Sequence, residues 1–86
     1  MTSKIELTLI GKPGCHLCDD AEAVVAEVLL EFGDVVSLTK QNILDDDALL
    51  ARYSEEIPVL LINGKVHNYW RIDPVRLRDA LENQVN

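Results

Sequence analysis

Apolar and polar positions along the chain follow two different periods. Residues 4–10 alternate between apolar and polar side chains, which predicts a strand, and the breakers of GKPG at 11–14 predict a loop. Residues 16–32 place apolar side chains three and four positions apart, which predicts an amphipathic helix ended by Gly33. The apolar stripe of this helix consists of Leu17, Ala21, Val24, Val25, Val28, Leu29 and Phe32.

The middle of the chain repeats this alternation and then turns back on itself. Residues 34–40 and the apolar residues 57–63 predict two more strands, with a short helix at 45–53 between them. Asn63-Gly64 is a strong hairpin signal, so residues 65–70 are predicted to form the return strand.

The last predicted helix begins at Asp73-Pro74, because Asp caps helix starts and Pro suits the first helical position. The side chains expected to face the sheet are Leu77, Ala80, Leu81 and Val85. Strands joined by helices imply parallel pairing, whereas the final hairpin is antiparallel. The sequence therefore predicts one α/β domain over residues 1–86, with the order β-α-β-α-β-β-α and a four-stranded mixed sheet flanked by helices.

Composition and charge narrow the classes of function. The 86 residues are 48% hydrophobic and 27% charged, enough to build a core without a disulfide scaffold. A net charge of −7 argues against binding to nucleic acid or to anionic membranes. No apolar run approaches the roughly 18 residues of a membrane span, and we see no secretory leader pattern. We therefore expect a cytoplasmic monomer whose thiols stay mostly reduced.

Cys15 and Cys18 lie at the junction between the first strand and the first helix. Cys15, placed just outside the helix, faces free backbone N–H groups and the positive helix end, and both favour a thiolate. Cys18 follows about one turn later, so its sulfur can approach that of Cys15. This spacing suits thiol–disulfide exchange in which Cys15 attacks and Cys18 resolves the mixed disulfide.

Two other interpretations of the cysteine pair stay open. A structural zinc site usually takes four N or S ligands, and the candidates here are Cys15, Cys18, His16 and His67. Because His16 lies between the cysteines, it should point away from such a cluster, so we expect no metal held by one chain. A metal or cluster bridging two subunits, with ligands from a second chain or from glutathione, is one alternative. A pair of core-filling cysteines without redox chemistry is the other.

Ile57-Pro58 is a second signal, at the start of a predicted central strand. Proline cannot donate a hydrogen bond to the strand ladder, so its position there is unusual. A cis Ile57-Pro58 bond in a tight turn beside the active site would explain it. The backbone of Ile57 would then be free to bind a substrate segment. A trans proline that simply starts an edge strand is the alternative.

The CxxC on the first helix, the segment EIPVLLINGK at 56–65 and the order of elements together resemble a glutaredoxin, a small thioredoxin-fold protein. The likeness spans nearly the whole chain and is greatest to divergent glutaredoxin-like proteins of bacteria. It implies a thiol–disulfide oxidoreductase with Cys15 as nucleophile and Cys18 as resolving thiol. The alternative is a thioredoxin-fold binding module without redox turnover.

The resemblance also implies roles for residues around the cysteines. Pro58 would be the cis-proline, and Ile57 would offer its backbone N–H and C=O to the incoming disulfide. Lys12 matches the basic residue that often precedes the first cysteine, where it assists the thiolate or meets a glutathione carboxylate. The implied substrates are a protein disulfide or a glutathione mixed disulfide. Glutathione is also a candidate electron donor, and we expect no bound cofactor.

Two segments depart from the glutaredoxin pattern. The usual Cys-Pro-Tyr-Cys is Cys-His-Leu-Cys here, so His16 follows the nucleophile, either as a cation beside the thiolate or as an exposed first-turn residue. The Gly-Gly-x-Asp segment that grips glutathione is replaced by VHNYWRID at 66–73, without glycine. In that segment Asp73 is a candidate for the binding Asp or a helix cap, and Arg71 is a candidate for holding a carboxylate. Trp70, with Tyr69, either packs over the sheet edge or forms an apolar lip that receives a protein segment.

Overall fold

Four strands form one mixed sheet in the computed structural model, which describes residues 5–85. The strands are β1 (Ile5–Gly11), β2 (Val36–Asn42), β3 (Val59–Ile62) and β4 (Lys65–Tyr69), arranged in the order β2-β1-β3-β4. The helices are α1 (His16–Leu29), α2 (Asp47–Tyr53) and α3 (Pro74–Val85). The predicted α/β class and the order of elements are confirmed. Lys4, which opened the first predicted strand, lies outside the described residues.

The direction of β3 differs from the prediction. β1 pairs with β2 in parallel, as predicted, but β3 runs antiparallel to β1, with Val59 opposite Ile10. The lengths of the connecting helices explain this difference. The 14 residues of α1 span about 21 Å, which is enough to return the chain along β1, a strand of about 23 Å. The 7 residues of α2 span only about 10 Å, which is too short for such a return. The chain therefore enters β3 at the edge of the sheet where β1 and β2 end.

The end of α1 also differs from the prediction. The helix stops at Leu29, and the N–H groups of Glu31 and Phe32 then donate to carbonyls three residues back, each at 3.1 Å. This pattern tightens the last turn into 3-10 geometry. Gly33 has a φ of 59° and begins a short 3-10 turn, so β2 starts two residues later than residue 34.

The core lies between the sheet and the two longer helices. Its buried members are Ile5, Leu7, Leu9, Ala21, Val25, Val28, Val36, Leu60, Ile62, Ile72, Leu77 and Leu81. Most of the predicted helical stripe packs here, but Leu17 is 36% exposed, contrary to the prediction. In the first turn of α1 the neighbouring Cys18 takes the inward position instead. The predicted inward side chain of Val85 lies outside the described part of the chain.

Aspartates cap the two later helices. The carboxylate of Asp46 accepts from the N–H groups of Ala48 at 2.8 Å and Leu49 at 3.3 Å, so α2 begins after residue 46 rather than at residue 45. Asp73 caps α3 in the same way. Within residues 5–85 no helix is both long enough and apolar enough to cross a membrane.

Candidate functional site

The two cysteines lie where β1 ends and α1 begins, with different exposure. Cys15 is the N-cap residue of α1, and its Sγ accepts a hydrogen bond from the backbone N–H of Cys18 at 3.2 Å. Cys15 is half-buried, Cys18 is only 8% exposed, and both are free thiols. One sulfur is therefore accessible to a reactant while the other lies behind it.

Electrostatics sharpen the difference between the two sulfurs. The pKa of the Cys18 thiol is raised from its ordinary value of 9.0 to about 11, and burial is the largest cause. The hydrogen bond with Cys15 and the charges of Cys15 and Asp19 contribute to this rise, whereas the backbone N–H of Lys12 partly offsets it. Cys18 therefore keeps its proton at neutral pH. At Cys15, the N–H donor and the positive helix end stabilise negative charge on sulfur.

Gly11 allows Cys18 to pack against the end of β1. A Cβ atom built on Gly11 would lie 2.9 Å from Sγ of Cys18 and 3.2 Å from its Cβ. Any side chain at this position would push the buried thiol away. Gly11 was predicted to lie in a loop, and nothing in the local sequence pattern shows that Cys18 packs against it.

The start of β3 lies beside the sulfur pair. The Ile57–Pro58 peptide bond is cis, and Ile57 packs in one buried cluster with Cys18, against which Cys15 also packs. Pro58 is fully buried, and its carbonyl accepts from the N–H of Trp70 at 2.8 Å. The N–H and C=O of Ile57 make no hydrogen bond to another described residue. This backbone is thus available to a ligand that reaches Cys15.

Trp70 has an unusual conformation at the end of β4. Its φ is 65°, a left-handed value that costs a non-glycine residue roughly 1–2 kcal/mol. The indole Nε1–H donates to the carbonyl of Glu55 at 3.1 Å, and the ring meets that of Tyr69 edge to face at 5.0 Å. Despite these contacts Trp70 is 52% exposed.

Two open grooves flank the cysteines. The first, which we name the Cys18 groove, has a volume of about 350 Å³. Its lining includes Lys12, Cys18, Asp19, Glu22, Lys40 and Asp45. The second, the Trp70 groove, has a volume of about 470 Å³ and is lined by Leu17, Tyr69, Trp70 and Arg71. The structure therefore separates a groove of mixed charge from a largely aromatic one.

The predicted binding residues divide between these surfaces. Lys12 lies in the Cys18 groove, and Trp70 and Arg71 lie in the Trp70 groove. His16 is exposed and lines neither groove. Asp73 points its carboxylate at the start of α3, where it accepts from two backbone N–H groups at 2.9 and 3.4 Å. Leu17 was missed as a groove residue, since its helical spacing assigned it to the core.

The candidate metal ligands do not converge. Among residues 5–85 no three His, Cys, Asp or Glu side chains are grouped so that they could hold a metal ion. His67 lies on β4 with its Nε2 buried and without a hydrogen-bond partner among the described residues. Burial lowers the pKa of His67, and the cationic Arg76 lowers it further. A metal at the sulfur pair would need ligands from another molecule.

Solved structures share this arrangement of strands and helices. The X-ray structure of a Northeast Structural Genomics target protein from X. campestris has 34% sequence identity and a TM-score of 0.72, covering 90% of this chain and 96% of that one. Its solution structure gives 35% identity and a TM-score of 0.71, with coverage of 90% and 92%. A structure titled as that of a malarial protein has a TM-score of 0.75 at 11% identity, covering 98% and 100%, and shows likeness of fold alone.

Sequence comparison finds the same kind of domain. Uncharacterised proteins of Mycobacterium tuberculosis and Mycobacterium bovis are each 29% identical over 79 residues, covering 88% of this chain and 81% of the relative. A family model for the glutaredoxin-like domain (DUF836) matches residues 6–82. With its mixed four-stranded sheet, three helices and CxxC pair, the chain has a thioredoxin-like fold and belongs to the glutaredoxin-like (DUF836) family.

Proposed function

We propose that the protein is a cytoplasmic thiol–disulfide oxidoreductase of the glutaredoxin-like type, acting as a monomer through Cys15 and Cys18. The asymmetry of the sulfur pair carries this proposal. Cys15 is partly exposed at a helix N-terminus and accepts an N–H donor at 3.2 Å. Cys18 is buried behind it with its pKa raised to about 11. An accessible attacking thiolate and a protonated reserve thiol are what stepwise exchange requires.

The proposed reaction has two exchange steps. The Cys15 thiolate attacks one sulfur of a substrate disulfide, that S–S bond breaks, and the other substrate sulfur leaves as a thiolate. Cys18 then loses its proton and attacks Sγ of Cys15, which releases the second substrate sulfur. Net, the substrate disulfide gains two electrons and two protons, and the protein is left with a Cys15–Cys18 disulfide. Two thiols of a donor such as glutathione return the two electrons.

Residues near the start of β3 support substrate positioning. The unbonded N–H and C=O of Ile57, next to Pro58, offer one donor and one acceptor to an extended segment beside Cys15. Lys12 supplies a local cation in a chain with a net charge of −7. We propose protein disulfides or glutathione mixed disulfides as substrates and no resident cofactor. His16 and Arg71 stay predicted contacts of this site, whereas the carboxylate of Asp73, the third predicted contact, caps α3.

The first test compares single cysteine variants. Reduced protein is mixed with a disulfide substrate, quenched with acid, alkylated and weighed by mass spectrometry. Cys18→Ser should accumulate a mixed disulfide on Cys15, since no thiol remains to resolve it. Cys15→Ser should slow exchange by at least about 100-fold, because the remaining thiol is buried and protonated. Full exchange by Cys15→Ser would overturn the proposed mechanism.

A redox equilibration extends that test. The wild type is held at graded ratios of reduced to oxidised glutathione and analysed in the same way. The proposal predicts a two-electron transition between the dithiol and the Cys15–Cys18 disulfide. Thiols that stay fully alkylated at every ratio would show that the pair is not a working redox couple, and the binding-module alternative would then account for the fold.

A further inference from the structure

The Trp70 groove presents apolar side chains to solvent, and one of them, Leu17, lies between the two cysteines in the sequence. Leu17, from within the CxxC motif, is 36% exposed, Tyr69 is 44% exposed and Trp70 is 52% exposed. A neighbouring hollow of about 290 Å³ continues along the same face and shares Leu17, Trp70 and Arg71 in its lining. Contiguous exposed apolar surface of this kind marks sites where another molecule binds.

Trp70 is held in place rather than free to turn. Its backbone N–H bonds to the carbonyl of Pro58 at 2.8 Å, and its indole N–H bonds to the carbonyl of Glu55 at 3.1 Å. The two bonds tie the ring to the segment that leads into β3, beside the sulfur pair. A rigid aromatic surface loses little conformational freedom on binding, so it suits a binding role.

Packing within the chain explains only part of the choice of tryptophan at this position. Its φ of 65° is one that glycine adopts without strain and other residues disfavour. Half of the side chain stays in water, so the fold recovers only part of what burial of a tryptophan provides. A bound apolar side chain would cover the exposed half.

The positive charge of Arg71 favours a ligand that carries a carboxylate. It is the one charged residue lining the Trp70 groove, and its guanidinium makes no ion pair or hydrogen bond to another residue in the described range 5–85. Asp20 lines only the neighbouring hollow. In a chain of net charge −7, a carboxylate is repelled from most of the surface but is attracted here.

We propose that the Trp70 groove selects the substrate, namely a protein segment whose disulfide cysteine is flanked by a large apolar residue and an acidic residue. The apolar side chain lies against Leu17 and Trp70, and the carboxylate meets Arg71. Glutathione has no apolar side chain to cover the ring, so its mixed disulfides are poorer substrates. This inference rests on the proposed exchange chemistry at Cys15.

The test measures selectivity with small disulfides of defined structure. The substrates are capped tripeptides whose central cysteine is joined by a disulfide to 2-mercaptoethanol. Leu and Glu flank this cysteine, and both orders are tested. Matched peptides replace Leu by Ala or Glu by Gln, and the glutathione mixed disulfide is included. Bis(2-hydroxyethyl) disulfide, which has no side chains, is the reference. Second-order rate constants for reaction with the reduced protein are measured by acid quench and mass spectrometry.

We expect the better Leu/Glu peptide to react about tenfold faster than its Ala counterpart and than the glutathione mixed disulfide. In Trp70→Gly the rate constants of the Leu and Ala peptides should become nearly equal. Trp70→Phe should keep most of the preference for the Leu peptide. Arg71→Gln should remove the advantage of Glu over Gln and keep that of Leu over Ala. Leu30→Ala is the control and should alter none of these ratios. Leu30 is 84% exposed and lies at the C-terminal end of α1.

The outcomes separate this inference from the proposed function. A wild type that reacts with the reference disulfide but shows no preference for Leu and Glu would overturn the substrate assignment alone. The same holds if Trp70→Gly and Trp70→Phe both keep the wild-type ratios. A wild type that reacts with none of the disulfides, including the reference, would overturn the proposed exchange chemistry and this inference with it.

Discussion

Two connections at the same end of the sheet differ in how far contacts within the chain explain their residues. At the β1–α1 junction, Gly11 occupies a position where a Cβ would lie 2.9 Å from the sulfur of Cys18. At the β4–α3 connection, Trp70 occupies a left-handed position where glycine has no strain, and half of it is exposed. Contacts inside the chain account for the first choice, whereas for the second they engage only the half of the Trp70 side chain that is not exposed. The first connection positions the CxxC pair, and we propose that the second is where a ligand is selected.

The chemistry of the first connection predicts how the resolving step depends on pH. Burial is the largest cause of the raised pKa of Cys18, and it does not depend on a free thiol at Cys15, so we expect this pKa to stay raised when Cys15 is held in a mixed disulfide. The reactive species is the thiolate, whose fraction grows with pH below that pKa. The rate of release of the second substrate thiol should therefore rise about 100-fold between pH 7 and pH 9. Quench-flow trapping of the mixed disulfide at each pH measures this rate.

Paired aspartate variants check the origin of that pH dependence. Asp19→Asn removes a charge that raises the pKa of Cys18, so it should speed resolution at pH 7. Asp20→Asn removes the neighbouring exposed charge, which is not among the causes of the shift, and should change resolution less. A resolution rate that levels off below pH 8.5 would show that Cys18 is an ordinary thiol, and the contrast between the two cysteines would be lost.

Gly11→Ala tests whether packing sets the residues of the first connection. The added methyl group cannot fit between β1 and Cys18, so we expect a loss of about 1–3 kcal/mol in the free energy of unfolding. Denaturant unfolding of Gly11→Ala, Cys18→Ala and the double variant isolates the contact. Together with the wild type, these variants form a double-mutant cycle, in which the effect of Gly11→Ala on the unfolded chain cancels. Gly11→Ala should cost less when Cys18 is already alanine, since the contact at 2.9 Å is gone and only that at 3.2 Å stays. Equal costs in the two backgrounds would mean that Gly11 serves another purpose.

The sequence predicted those parts of the fold and site that depend on local pattern. The order of strands and helices follows from periodicity, and the position of Cys15 at a helix start follows from the loop residues before it. The direction of β3 was predicted wrongly, because the helix that joins β2 to β3 is too short to be a crossover between parallel strands. The predicted segment at 45–53 was already too short to return the chain along β1.

The surroundings of the sulfur pair depend on contacts that local pattern does not encode. Leu17 fits the helical stripe by spacing, yet in the first turn of α1 Cys18 takes the inward position, so Leu17 lines the Trp70 groove. The positive φ of Trp70 had no signal in the sequence, since that conformation is usually marked by glycine or asparagine. The Cys18 groove joins residues of α1 and β2 that are far apart in the chain.

Asp73 gives the smallest of these effects and tests the second connection without touching the aromatic ring. Its carboxylate accepts two N–H groups at the start of α3, so Asp73→Ala should cost about 1 kcal/mol in the free energy of unfolding. Asp73→Asn keeps a good capping oxygen and removes the charge, so it should cost much less. Both free energies come from denaturant unfolding. If Asp73 also bound the amine of glutathione, Asp73→Asn would slow exchange with the glutathione mixed disulfide while leaving stability nearly unchanged. Since Oδ1 of Asp73 already accepts both capping bonds, we expect no such selective loss, and finding one would extend ligand selection from Trp70 and Arg71 to the start of α3.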